Sequence, residues 1–170
     1  RDHNGPYSGS SETTHSIDPA IPYNDDRIQG WATGVEAYYR ADGEMGFSDA
    51  NRALGAAGTS VYDIVSLGDL DADAIAAGDL PGYIELSFGV TIANSTGPDF
   101  AVFENGISDD YCELAFVEVS TDGETFARFG GTYFGAATAP VGGYAFIDAT
   151  YIYNLAGKHK VGFGTPFDLE

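Results

Sequence analysis

Asp99-Phe100-Ala101-Val102-Phe103-Glu104-Asn105-Gly106, followed by Glu113-Leu114-Ala115-Phe116-Val117-Glu118-Val119-Ser120-Thr121-Asp122-Gly123, reads as two aromatic-rich strands joined by an acidic loop. In the second run Ala115, Val117 and Val119 fall on one face, with Glu113 on the same side. The Asp122-Gly123 pair is a hairpin signal, because those residue types supply the positive φ angles of a type I′ turn. Residues 125–129 are expected to return as the next strand.

The same pattern recurs outward along the chain. Tyr83-Ile84-Glu85-Leu86-Ser87-Phe88 alternates, placing Ile84, Leu86 and Phe88 on one face of a half-buried strand. Further strands are expected over 61–68, near 144–147 and near 159–163, with a turn or short helix at 152–156. Between them, Asp69-Leu70-Asp71-Ala72-Asp73 carries Asp at the first, third and fifth positions of a calcium loop. The sixth and twelfth positions are Ala74 and Leu80, where that loop needs Gly and Glu. The segment near 70–77 is therefore read as a short helix, capped by an Asp at its start and ended by Gly78 before Pro81. About seven short strands with spaced turns predict an all-β fold, an antiparallel β-sandwich of jelly-roll type with long loops. The expected organisation is an extended arm over 1–20 and a single sandwich domain over 21–170.

Composition agrees with that class. Of 170 residues 44% are hydrophobic, and the 11 Tyr and 11 Phe favour strands. Net charge is −19, from 26 acidic and 7 basic residues, which repels phosphate backbones and anionic membranes and argues against nucleic-acid binding. No apolar run is long enough for a membrane-spanning helix. Cys112, the only cysteine, cannot form an internal disulfide and reads as a small core residue.

The strings Val65-Ser66-Leu67-Gly68-Asp69-Leu70, those at 99–106 and 113–123, Ile152-Tyr153-Asn154-Leu155-Ala156-Gly157-Lys158 and Gly164-Thr165-Pro166-Phe167-Asp168-Leu169 occur in one order. Together they resemble a group of secreted or surface-anchored bacterial proteins of uncharacterised function. The resemblance implies an extracellular or cell-surface β-sandwich with no established catalytic activity. The hairpin at 119–123 is also similar to those of discoidin-like and carbohydrate-binding modules, an analogy of fold alone.

Four functional readings follow. Glu104, Asp109, Asp110 and Glu113 crowd four carboxylates into ten residues, and they are candidate Ca2+ ligands together with a loop carbonyl. Trp31, Tyr133, Tyr151 and Tyr153 are candidate platforms for a glycan, against the plainer reading of aromatics as core residues. A polar arm ahead of a sandwich suits strand donation between subunits, giving a homo-oligomer, ring or filament. A hydrolase or lyase using paired carboxylates is the weakest, since no sequence pairing selects one and His3, His15 and His159 lack metal-ligand spacing. The chain is thus expected to be a non-catalytic surface protein acting by self-assembly, with a carbohydrate-binding module as the alternative.

Overall fold

A computed structural model describes residues 19–133 and 145–170 of the chain. The expected arm, apart from Pro19 and Ala20, lies outside the described residues, as do His3, His15 and Tyr144. The fold is all-β in character, made of small antiparallel sheets with one α-helix. Among the described residues two compact units emerge: 19–25, 57–61, 93–133 and 145–170 form one, 26–56 and 62–92 the other.

In chain order the strands are β1 (Ile21–Pro22), β2 (Gly34–Tyr39), β3 (Tyr83–Ser87), β4 (Phe100–Phe103), β5 (Glu118–Val119), β6 (Ala127–Arg128), β7 (Thr132–Tyr133), β8 (Ile152–Tyr153) and β9 (Phe163–Phe167). Short 3-10 turns cover Ala50–Ala53 and Ala149–Tyr151, and α1 spans Ala72–Ala77.

The first unit is organised by β9, which lies between β1 and β4. Phe100 faces Phe167, and Phe103 faces Gly164, in an antiparallel ladder. Phe167 is fully buried, stacked on Phe100 with ring centroids 5.3 Å apart and packed against Phe129 at 5.1 Å. A second cluster gathers Cys112, Ala149, Ile152 and Leu155, with Leu114 and Ile147 against it. On the other edge of β9, Ile21 opposes Gly164 and Pro22 opposes Phe163. Two residues further along the chain, that register would set Pro19 against Pro166, both without an N–H to give to the ladder.

The second unit holds the β2–β3 pair and α1. The β2–β3 register runs from Tyr39 opposite Tyr83 to Gly34 opposite Ser87, with an irregularity between Val35 and Ala37. On one face the Tyr38 hydroxyl donates to the Ser66 carbonyl at 2.6 Å, while Ile84 and Leu86 are half-buried. α1 begins at Asp71, whose carboxylate accepts the Ala74 N–H at 2.8 Å, and ends at Gly78, which adopts a left-handed conformation with φ of 80°. The capping reading of this segment therefore describes the helix as it stands.

Several expected elements are displaced. Residues 61–68 form no strand, although the Leu67 carbonyl accepts the Ala41 N–H. The expected strand near 159–163 instead runs through Phe163–Phe167. Gly164 and Pro166 disguise it in sequence, but Pro166 sits past the two-residue reach of β1, where a missing N–H breaks no ladder bond on that side. The Asp122-Gly123 turn is also looser than a type I′ hairpin. Glu118 opposes Arg128 and Val119 opposes Ala127, a register that centres the loop on Gly123 and excludes a two-residue turn. The Asp122 carboxylate accounts for this by accepting the N–H groups of Glu124 and Thr125 at 2.9 and 2.8 Å, satisfying backbone that a tighter ladder would have paired.

Candidate functional site

The acidic loop leaves β4 at Phe103 and is tied to the C-terminal segment at both ends. Gly106 bridges Lys160, with the Val161 N–H donating to the Gly106 carbonyl at 2.8 Å. Ala115 and Ala156 exchange two backbone hydrogen bonds at 3.0 and 3.2 Å. Close backbone approach explains the glycine at 106: a Cβ there would lie 3.1 Å from the Tyr111 carbonyl oxygen and 3.2 Å from that of His159.

The four carboxylates proposed as calcium ligands have separate surroundings. Glu104 is largely removed from water, and its Oε2 has no hydrogen-bond partner among the described residues. Burial pushes its carboxyl up to about 7; the backbone N–H groups of Asn105 and Gly106 pull the other way and the charge of Glu113 adds to the rise. Glu113 itself is exposed. Asp109 lies 3.9 Å from the Lys160 ammonium, and Asp110, on the surface, accepts the Ser108 hydroxyl at 2.6 Å. Among the described residues no three His, Cys, Asp or Glu side chains come together as a metal-holding group.

Beside this loop is an open groove of about 660 Å³, lined in part by Ser108, Asp109, Asp110, Phe146, Asp148 and Thr150. Phe146 is 74% exposed at its edge. Asp148 is engaged in capping the 3-10 turn, accepting both the N–H and the hydroxyl of Thr150.

The aromatic candidates are also divided. Tyr133 and Tyr151 meet edge-to-face at 6.3 Å, a geometry that packs one ring against the other instead of laying both flat. Tyr153 is half-buried in β8, opposite Thr132, and Trp31 belongs to the other unit, half-buried beside the buried Ala32.

Three groups escaped the sequence reading. Lys158 is 1% exposed, its ammonium donating to the Ile152 carbonyl at 2.8 Å, and His159 and Thr165 are buried with it. A lysine and a histidine in an acidic chain carry no signal of burial. Tyr39 and Tyr83, in contrast, are 39% and 44% exposed, with ring centroids 6.0 Å apart across β2–β3. Their signal was present: Tyr83 shares a strand parity with Glu85 and Ser87, opposite Ile84 and Leu86.

Cys112 behaves as a core residue. Its thiol points to the Ile147 carbonyl at 3.9 Å, and burial, with the nearby Glu104 charge, pushes it up to about 12. It therefore stays protonated and unreactive near neutral pH. No family model, curated protein or solved structure matches the chain, and no helix among the described residues is long and apolar enough to cross a membrane.

Proposed function

We propose that this protein is a non-catalytic, secreted surface component of the sandwich type that acts by self-assembly through its strand edges. The observation that carries this reading is the shortness of its sheets. Among the described residues three of the four sheets have two strands, and in the fourth β1 pairs with only two residues of β9. Unpaired edges present N–H and C=O groups that accept an added strand. The 1–20 arm is the donor that the sequence suggests.

Turnover draws little support from the thiol, which burial holds protonated. Calcium draws none from the described carboxylates, which face different partners.

Light scattering on the full chain over a range of concentrations, with calcium and with chelator, tests the proposal. Mass that rises with concentration, and falls to the monomer when residues 1–20 are removed, is the expected result. A monomer under every condition ends the assembly reading, and assembly that survives loss of the arm removes the arm as donor.

A further inference from the structure

We propose that the open face of the β2–β3 sheet binds a neutral glycan, with Tyr39 and Tyr83 as the stacking platform and Glu36, Glu85 and Ser87 as the polar groups that orient it. This uses a sheet face and not the strand edges, so it stands apart from assembly.

Alternation along β3 puts Tyr83, Glu85 and Ser87 on one side, and the register brings Tyr39 opposite Tyr83 at one end. The irregularity between Val35 and Ala37 turns Glu36 to the same side, where its carboxylate accepts the Ser87 hydroxyl at 2.6 Å. Gly34, opposite Ser87, keeps that end low: a Cβ there would lie 2.5 Å from the Ser87 hydroxyl oxygen. The face thus runs from two exposed rings to a hydrogen-bonded carboxylate, a span of roughly 14 Å at about 3.4 Å per residue.

The occupant follows from this chemistry. With Tyr39 39% and Tyr83 44% exposed, the two tyrosines leave ring surface available to a third body. An aliphatic partner would cover the rings but leave the carboxylates desolvated without donors. A sugar chain presents apolar C–H faces and hydroxyl donors on the same scale, which fits rings beside carboxylates. Charge narrows the class further, because Glu36 and Glu85 in a chain of net charge −19 repel uronate-bearing or sulfated polymers.

Affinity electrophoresis of the full chain through gels containing xylan, glucomannan, β-glucan or galactan tests the idea, with alginate as the anionic comparison. Retardation by at least one neutral polymer and none by alginate is expected. Tyr39→Ala and Tyr83→Ala should each weaken that binding at least tenfold while leaving the circular dichroism unchanged. Should either variant fail to fold, the tyrosine ring signals of the wild-type protein in NMR decide instead, with ligand-induced shifts expected at Tyr39 and Tyr83. No retardation by any neutral polymer overturns the proposal, as do equal binding by the variants or shifts confined to other tyrosines. Binding to poly-lysine alone, or a drop in molar mass in the tyrosine variants without glycan binding, would assign the face to a cationic partner or a second copy and overturn it too.

Discussion

Gly157 lies against Glu113 so closely that a Cβ on the glycine would come 1.9 Å from the Glu113 carbonyl oxygen. The residue is also left-handed, with φ of 82°, so two independent constraints select glycine where the acidic loop meets the C-terminal segment. The neighbouring Ala115–Ala156 bridge holds the two backbones together at this point.

Gly157→Ala is therefore expected to destabilise the protein by more than about 2 kcal/mol, since neither the backbone angle nor the carbonyl can yield cheaply. Gly130→Ala, at an exposed glycine with open space around it, should cost less than about 1 kcal/mol. Urea unfolding of the two variants checks the contrast; equal losses would mean that the contact at Gly157 does not constrain the fold.

Lys158 fills buried volume and satisfies the Ile152 carbonyl. Lys158→Ala loses both the packing and the hydrogen bond and is expected to cost roughly 2–4 kcal/mol. Lys158→Met keeps most of the side-chain volume but still leaves the Ile152 carbonyl without its donor, so it should recover only part of that loss. Thermal denaturation of the pair separates packing from the hydrogen bond.

Glu104 gives stability a pH dependence whose sign is fixed by the direction of its shift. Its carboxyl titrates near 4.5 when exposed and near 7 in the fold, so the folded state holds a proton that the unfolded chain has released. Stability should fall as pH rises through that window, by up to roughly 3.5 kcal/mol at about 1.4 kcal/mol per pH unit, and level off above it. Glu104→Gln is expected to flatten this limb and to raise the Tm at pH 8. Asp99 acts in the opposite sense: the Leu169 N–H holds its carboxyl below the usual 3.8, and that stabilisation is lost only as pH falls through the lowered value. Denaturation curves from pH 3 to 9 should show both limbs, and a Glu104→Gln profile parallel to wild type would contradict the assignment.

At α1, Asp71→Ala removes the acceptor for the Ala74 N–H and should cost about 1 kcal/mol. The helix is exposed along most of its length, so the loss should be local. Faster amide exchange at Ala74, with a small change in overall Tm, is the expected signature.

Short-range forces account for the elements that could be read directly along the chain. Asp71 and Gly78 bound a helix because a cap and a left-handed stop act within a few residues. Tyr83–Ser87 is a strand as its alternation suggested, although Ile84 to Ser87 are all half-buried and Phe88 lies exposed beyond its end, and Cys112 is a core residue as its neighbours suggested. Two of the displaced elements have local causes. Asp122 drew its backbone into a side-chain-capped loop, and Gly164 and Pro166 hid the strand around which the first sheet is built.

The placement of the candidate ligands and aromatics came from long-range packing. Glu104, Asp109, Asp110 and Glu113 are neighbours in sequence, yet one is half-buried, one faces Lys160 and two meet solvent. Tyr39 and Tyr83, far apart in the chain, became neighbours through a register that no local pattern states. Burial and cross-strand pairing depend on which distant segments close on one another, and Lys158, polar in sequence and enclosed in the fold, shows how completely packing can override local character.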